Sequence, residues 1–271
     1  MSGPTLVREA PLAHLRWDAP GPPVVLLHGV GGSRESWGDA ISGTGRAIAE
    51  AGFSAIAADL PGYGDSPSIE PYDMAGLASA VRALVDSLGA PRVVLVGHSM
   101  GGMAAQELMA RSPAGVAALL LIGTSSSFGK PDGAWQREFL AQRLAPLDAG
   151  KGMAALAPGL VKGMASPRAA HDAVARAALL MSAVPEATYR KALAAIAGFD
   201  RRESTADLRV PVLCLVGADD RNAPPAVMKQ MASRIPGAEY RELPRVGHLA
   251  HMEAPQAVNA ALVDFLQRHL Q

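Results

Sequence analysis

Residues 93–101 of this chain read VVLVGHSMG, and the first four form an apolar run that ends at a glycine. A short continuous apolar run is typical of a strand covered on both faces of a parallel sheet. The residues that follow, GMAAQEL at 102–108, favour a helix. The stretch therefore predicts a strand, a tight turn at Ser99, and a helix.

The turn itself has the pattern G-x-S-x-G, with glycines two residues on either side of Ser99. Between a strand and a helix, this pattern indicates a strained turn that exposes the serine hydroxyl. The backbone N–H of the following residue points to the same space. A serine hydroxyl is a weak nucleophile that needs a base, which a third group must orient. Ser99 is therefore a candidate nucleophile, and the rest of the chain has to supply its partners.

Short apolar runs recur along the chain, and helical patterns separate them. The runs lie at 24–27, 55–58, 93–96, 119–122 and 212–216, with a further strand candidate at 239–243. Apolar residues from Met74 to Leu88 recur at helical spacing, and Pro255 can open a terminal helix. This alternation predicts an α/β fold with a doubly wound, mostly parallel sheet.

The alternation stops between about residues 126 and 199. No convincing strand occurs there, and apolar residues such as Phe139, Leu140 and Leu144 recur at helical spacing. We therefore expect an inserted helical lid at 126–200, between the two parts of an α/β core at 1–125 and 201–271. An insertion after a strand, at the carboxyl edge of the sheet, would lie over a site formed there.

Composition narrows the classes of partner. The 271 residues are 49% hydrophobic and carry 25 basic and 25 acidic side chains. This balance argues against nucleic acid or an anionic membrane as partner. No apolar run approaches the roughly 20 residues of a membrane span, and the first residues lack a signal-peptide pattern. We expect a cytoplasmic protein. The single cysteine, Cys214, lies in a strand-like run and is expected to be a core residue.

Candidate partners for Ser99 follow later strand ends, where ligand chemistry gathers in such sheets. The run at 119–122 is followed by GTSS, which has no carboxylate. The run at 212–216 leads to the adjacent aspartates Asp219 and Asp220, and the last strand candidate leads to His248 and His251. The residues alone leave both aspartates and both histidines open.

Four blocks together resemble the α/β-hydrolase-fold serine hydrolases over nearly the whole chain. They are HGVGG at 28–32, DLPGYGDS at 59–66, the turn at 97–101, and the paired Asp220 and His248 blocks. The resemblance implies an acid three residues after the glycine that ends the strand, hence Asp220, and a base directly after Gly247, hence His248. Asp219 would then cap the turn or lie in solvent, and His251 would belong to a helix entry.

The turn at residues 28–30 resembles the oxyanion loop of that family. The resemblance implies that the backbone N–H groups of Val30 and Met100 bind the developing oxyanion. A nucleotide-binding turn is the alternative for residues 29–32, but the G-x-G-x-x-G spacing is missing. His98 either lines the substrate pocket or orients the turn, and Trp135 is either a pocket wall or a packing residue of the lid.

The activity implied by the resemblance is hydrolysis of a small carboxylic ester or lactone through an acyl-enzyme. No ligand cluster or phosphate loop indicates a metal or an organic cofactor. Serine at position 99, where dehalogenases and epoxide hydrolases of this fold carry aspartate, argues against those activities. His98 argues against the carbon–carbon bond hydrolases, which usually have asparagine there.

The bacterial 3-oxoadipate enol-lactonases are similar around Trp135, Arg143 and residues 152–157. Residues 161–164, VKGM, depart from their pattern. A carbon–carbon bond hydrolase, a thioesterase and a non-catalytic small-molecule receptor remain alternatives. The sequence also leaves open whether the chain forms a homo-oligomer.

Overall fold

The computed structural model describes residues 3–39, 41–129 and 133–270. The outer limits of the predicted core, residues 1 and 271, therefore lie outside the described residues. Residues 130–132 of the predicted insertion also lie outside the described residues, as do residues 1 and 2, where a signal peptide would begin.

An eight-stranded sheet forms the centre of the molecule. The strands are β1 (Thr5–Val7), β2 (His14–Trp17), β3 (Gly21–Leu27), β4 (Phe53–Ala58), β5 (Val93–His98), β6 (Val116–Ile122), β7 (Val212–Gly217) and β8 (Glu239–Leu243). They are ordered β1-β2-β4-β3-β5-β6-β7-β8, with β3 to β8 parallel and β1 and β2 antiparallel to their neighbours. The predicted α/β class with a mostly parallel sheet is confirmed.

Helices connect the strands. In the described residues they are α1 (Thr44–Glu50), α2 (Met74–Ser87), α3 (Met100–Arg111), α4 (Ala134–Asp148), α5 (Met153–Met164), α6 (His171–Ser182), α7 (Glu186–Ala197), α8 (Pro225–Arg234), α9 (Ala250–Glu253) and α10 (Pro255–Leu270). Helices α2, α3 and α8 pack on one face of the sheet, and α1 and α10 pack on the other. This arrangement is the predicted double winding.

The two covered faces explain why the strand sequences are continuously apolar. Successive residues of a strand point to opposite faces. In β3, Val25 and Leu27 belong to the core cluster that contains α2 and α3. Val24 and Leu26 belong to the cluster that contains α1 and α10. All four are fully buried, so neither set of positions can be polar.

Residues 126–200 leave the core between β6 and β7, and their described part contains α4 to α7. An antiparallel bridge between Ser127 and Asp200 closes the base of this inserted segment. The amide of Phe128 also donates to the carbonyl oxygen of Phe199 at 2.9 Å. Helix α5 packs on α6, and α4 packs on α7. The segment therefore leaves and re-enters the core at one point.

Helix α3 approaches β3 so closely that position 101 requires glycine. A Cβ atom there would lie 2.3 Å from the carbonyl oxygen of Leu27, which belongs to the backbone of the central sheet. A Cβ atom at Gly97 would lie 2.5 Å from the carbonyl oxygen of Gly101. The two glycines therefore let the helix start directly after the strand and lie against the sheet.

Replacing Gly101 by alanine tests this close approach. We expect Gly101→Ala to lower the free energy of unfolding by about 1–3 kcal/mol, because neither backbone can move aside without strain. Gly159→Ala in α5 is the matched control, since its added Cβ meets no atom within 4 Å. The control should raise the free energy of unfolding by about 0.5–1 kcal/mol. Urea unfolding measures both, and equal effects would contradict the packing.

Candidate active site

Ser99 has a strained backbone, with φ at 51° and ψ at −118°. Its neighbours hold this conformation through hydrogen bonds. The Ser99 amide donates to the carbonyl oxygen of Ile122 at 3.0 Å, and the Ser99 carbonyl oxygen accepts from the Met103 amide at 3.1 Å. The hydroxyl of Thr124 donates to the same carbonyl oxygen at 2.8 Å. The side chain of Ser99 is thereby fixed at the carboxyl end of β5.

The structure brings Ser99, His248 and Asp220 into one hydrogen-bonded series. His248 Nε2 lies 3.1 Å from Ser99 Oγ, and His248 Nδ1 lies 2.8 Å from Asp220 Oδ2. Because a carboxylate only accepts, Nδ1–H donates to Asp220, and Nε2 is left to accept from the serine hydroxyl. The second carboxylate oxygen, Oδ1, accepts from the amides of Asn222 and Ala223 at 2.8 and 2.9 Å. The imidazole is therefore held in the tautomer that a general base requires.

The alternative acid and base lie elsewhere. Asp219 accepts a hydrogen bond from the Ser166 hydroxyl at 2.6 Å, so it faces the inserted segment. His251 is buried, and its ring stacks on Trp37 with centroids 4.5 Å apart. Within the described part of the chain, neither residue is hydrogen-bonded to Ser99. Of the two pairs that the residues left open, Asp220 and His248 are the members beside the candidate nucleophile.

Two backbone N–H groups, of Val30 and Met100, are free at this end of the sheet. Neither has a hydrogen-bond partner among the residues that the structure describes. A Cβ atom added to Gly29 would lie 3.1 Å from Ser99 Cβ, so the loop after β3 passes directly beside the serine. The Tyr63 hydroxyl donates to the carbonyl oxygen of Val30 at 3.0 Å and holds the peptide group that follows the Val30 N–H. Unpaired donors beside a nucleophile can stabilise an oxyanion.

The block at 59–66 supports this loop from below. Asp59 is fully buried and accepts from the Arg34 amide at 2.8 Å, and it also forms an ion pair with the Arg34 guanidinium. The Leu60 amide donates to His28 Nε2 at 3.0 Å, while His28 Nδ1–H donates to the carbonyl oxygen of Gly29 at 2.8 Å. Asp59 and His28 therefore hold the loop and do not face the candidate nucleophile.

Glu253 has a role that sequence reasoning missed. Its Oε2 accepts from the amides of Gly247 and Ser166, each at 2.9 Å, and its Oε1 accepts from the Leu249 amide at 3.0 Å. One carboxylate thus holds the backbone on both sides of His248 and ties it to the residues after α5. The available signal was an acidic residue about one helical turn beyond the histidine, which by itself is common.

His98 supports the backbone of His248, the candidate base. Its Nε2–H donates to the carbonyl oxygen of His248 at 2.8 Å, and its ring centroid lies 4.5 Å from that of His251. Burial lowers the pKa of His98 well below its usual range, and the neighbouring His251 and His248 act in the same direction. Burial also lowers the pKa of His251 to about 3. Both rings are therefore neutral at physiological pH.

Two cavities meet at the candidate nucleophile. The larger has a volume of about 410 Å³, and the smaller, of about 30 Å³, is lined by residues that include His98 and Leu180. Both are bounded by Val30, Ser99, Met164, Met181 and His248. The inserted segment therefore contributes walls to both cavities.

Trp135 stands on the wall of the larger cavity. It is 47% exposed, and its ring centroid lies 5.1 Å from that of Phe128 and 5.6 Å from that of Phe139. The residue both lines the cavity and packs within the inserted segment, so its two predicted roles are compatible.

Within residues 3–39, 41–129 and 133–270, no group of three or more His, Cys, Asp or Glu side chains could hold a metal ion. The helices of the same residues include none that is long and apolar enough to cross a bilayer. Burial raises the pKa of the Cys214 thiol to about 12, which is typical of a core cysteine and not of a nucleophile.

Comparison with known proteins identifies the family of the chain. The profile of the alpha/beta hydrolase family matches residues 24–261, and the chain belongs to that family. An esterase from Thermogutta terrifontis superposes with a TM-score of 0.81 at 25% identity, covering 96% of this chain and 95% of that one. The enol-lactonase from Burkholderia xenovorans superposes with a TM-score of 0.79, also at 25% identity, covering 94% and 97%.

A further relative is larger than this protein. The dihydrolipoyllysine-residue acetyltransferase component of the acetoin cleaving system of Pseudomonas putida is 32% identical over 261 residues. The match covers 92% of this chain but 64% of that protein. The chain therefore spans less than two thirds of that relative's length. The acetyltransferase activity in that relative's name is not assigned to this chain.

Removing the Glu253 carboxylate tests its hold on the histidine loop. We expect Glu253→Ala to lower the free energy of unfolding by about 1–3 kcal/mol, because backbone donors lose their acceptor. Amide hydrogen exchange at Gly247, Leu249 and Ser166 should accelerate. Glu9→Ala, at an exposed glutamate, is the control and should change neither quantity. Unchanged exchange at these three amides would contradict the assignment.

The buried His251 makes stability depend on pH. Its pKa falls from 6.5 to about 3 on folding, so below pH 6.5 the unfolded chain binds a proton that the folded chain does not. Between pH 6.5 and about 3, the free energy of unfolding should decrease as the pH decreases, by up to about 1.4 kcal/mol for each pH unit. His251→Phe should remove this contribution, while His171→Phe, at an exposed site, should keep it. Urea unfolding from pH 7 to pH 5 measures this pH dependence of the free energy of unfolding. The same dependence in His251→Phe as in the wild type would contradict the contribution of His251.

Proposed function

We propose that this protein hydrolyses small carboxylic esters or lactones through an acyl-enzyme formed on Ser99. The observation that carries the proposal is the series Ser99 Oγ, His248 and Asp220, with contacts of 3.1 and 2.8 Å. Membership of the alpha/beta hydrolase family supports hydrolysis as the reaction class. The esterase and the enol-lactonase among the structural neighbours favour carboxylic esters and lactones.

In the proposed acylation step, His248 Nε2 takes the proton of the Ser99 hydroxyl as Oγ attacks the carbonyl carbon. The carbonyl oxygen becomes an oxyanion that accepts from the N–H groups of Val30 and Met100. Asp220 stabilises the imidazolium that forms. The tetrahedral intermediate then expels the alcohol oxygen, which takes the proton from His248. In a lactone this oxygen stays attached to the acyl group.

Deacylation repeats the sequence with water as nucleophile. His248 removes a proton from water, whose oxygen attacks the acyl carbon, and Ser99 Oγ leaves with that proton. The same two N–H groups serve the second oxyanion. No step requires a metal or an organic cofactor. The products are a carboxylic acid and an alcohol, or one hydroxy acid from a lactone.

We propose further that residues 126–200 act as a lid. Helices α4, α6 and α7 contribute residues to the cavity walls, among them Trp135, Met181 and Leu193. Apolar walls that exclude water strengthen the electrostatic contacts at the reacting carbonyl. Trp135 would contact the substrate in the larger cavity, and His98 would border the smaller one. A cytoplasmic location stays a prediction.

The main alternative from another class is a receptor that binds a small molecule without reaction. A fully assembled Ser-His-Asp series is unnecessary for binding, which favours the hydrolase. Reaction of Ser99 with a fluorophosphonate separates the two, because the reagent labels only an activated serine. Carbon–carbon bond and thioester hydrolysis remain alternatives within the same fold, and direct assays with those substrate classes separate them from ester hydrolysis.

Replacing Ser99 by alanine tests the proposed nucleophile. We expect Ser99→Ala to reduce hydrolysis of p-nitrophenyl butyrate by at least about 10³-fold and to abolish fluorophosphonate labelling. Ser125→Ala is the matched control, because Ser125 lines the larger cavity but donates to the carbonyl oxygen of Ser127 at 2.7 Å. It should keep activity within a few-fold. Retained turnover in a folded Ser99→Ala protein would overturn the mechanism.

A further inference from the structure

The larger cavity is positively charged. Its lining includes Arg143 from α4 and Arg221 from the loop after β7. None of the described residues that line it is an aspartate or a glutamate. The remaining walls are largely apolar and aromatic, with Phe128, Phe139 and Tyr189 among them. A cation beside such walls is weakly compensated, so an occupant with a negative charge would be favoured.

Arg143 is held in place by groups that leave its charge uncompensated. Its guanidinium carbon lies 5.4 Å from the centroid of the Phe139 ring. Burial raises the pKa of the nearby Tyr189 hydroxyl, and the positive charge of Arg143 acts on that pKa in the opposite direction. No carboxylate among the described residues forms an ion pair with it. The side chain is thus oriented by neutral partners towards the cavity.

Two other arginines of the inserted segment, Arg190 and Arg176, differ from Arg143 in this respect. Arg190 pairs with Asp148 at 2.7 Å and with Glu186 at 2.8 Å. Arg176 pairs with Asp39 at 3.3 Å. These side chains lie on the surface with acidic partners of their own, as is usual for exposed basic residues. Arg143 instead lines a cavity that reaches the candidate nucleophile.

We propose that Arg143 binds a carboxylate of the substrate, so that the protein prefers esters or lactones that carry a free carboxylate remote from the reacting carbonyl. A guanidinium matches a carboxylate through two parallel N–H···O bonds. The volume of about 410 Å³ suits a small molecule of this kind. Arg221, at the exposed side of the same cavity, adds a second positive charge that attracts the anion. The inference rests on the proposed function, since it concerns the selectivity of that same site.

A purely structural role for Arg143 makes a different prediction. If the guanidinium only braced Tyr189 and Phe139, its loss would slow the hydrolysis of charged and neutral esters equally. If it binds substrate, its loss would act on charged esters alone. The ratio of kcat/KM between a charged and a neutral ester of matched length therefore separates the two roles.

The experiment compares two substrate pairs. Monomethyl adipate and methyl hexanoate place the charge on the acyl side, and 4-acetoxybutanoate and butyl acetate place it on the alcohol side. We expect the wild-type protein to prefer the charged member of at least one pair. Arg143→Met should lower that preference by about 10- to 100-fold, the value of a hydrogen-bonded charge pair, and should leave neutral turnover within a few-fold. Arg143→Lys should keep part of the preference.

Arg137→Met is the matched control, because Arg137 is an exposed arginine of the same helix that is absent from the cavity wall. It should leave the preference unchanged. A wild-type preference for the neutral members, an equal loss for both members in Arg143→Met, or the same shift in Arg137→Met would overturn the inference. Continued hydrolysis of p-nitrophenyl butyrate would show that the proposed function survives such a result. If no ester is cleaved, calorimetric binding of adipate decides, and equal binding to wild type and Arg143→Met overturns the inference.

Discussion

The turn at Ser99 is the constraint on which the rest of the site depends. A non-glycine residue with φ at 51° and ψ at −118° costs about 1–3 kcal/mol, which its surroundings must offset. Glycines at 97 and 101 allow helix and strand to touch there, and the carbonyl oxygen of Ile122 holds the Ser99 amide from the next strand. Because the turn lies at the end of β5, the Ser99 hydroxyl, the N–H of Met100 and the loop after β3 all lie close together.

His248, the candidate base, is held by contacts from distant parts of the chain. Asp220 fixes the His248 ring, His98 binds its carbonyl oxygen, and Glu253 binds the amides on either side. Glu253 also binds the Ser166 amide, so the inserted segment and the histidine loop share one carboxylate. The position of the segment over the cavities and the position of the imidazole are therefore coupled. The buried, neutral side chains of His98 and His251 lie next to each other, close to His248. The larger cavity, which His248 also lines, contains the positive charges of Arg143 and Arg221.

Much of the fold could be predicted from local patterns. Continuous apolar runs indicated the five strands β3 to β7, because strands covered on both faces favour apolar residues at every position. The edge strand β8, which has the sequence EYREL, was indicated only as a further candidate. The G-x-S-x-G pattern located the turn, because helix and strand can meet there only through glycines. The loss of strand patterns after residue 125 indicated where helices replace the alternation. Family resemblance favoured Asp220 over Asp219 and His248 over His251. Hydrophobic periodicity could not make this choice, because the two aspartates are adjacent and both follow the same strand.

The sequence by itself therefore determined the sheet, the turn and the candidate nucleophile, because each depends on residues that are neighbours along the chain. Only the tertiary structure decided the hairpin of β1 and β2, which have three and four residues: β2 pairs with β4, and β1 pairs with β2. It also decided that Glu253 binds the backbone of the histidine loop and that Arg143 lines the larger cavity, whose described lining contains no aspartate or glutamate. Such roles depend on distances between residues far apart in sequence, and those distances exist only after the sheet has formed.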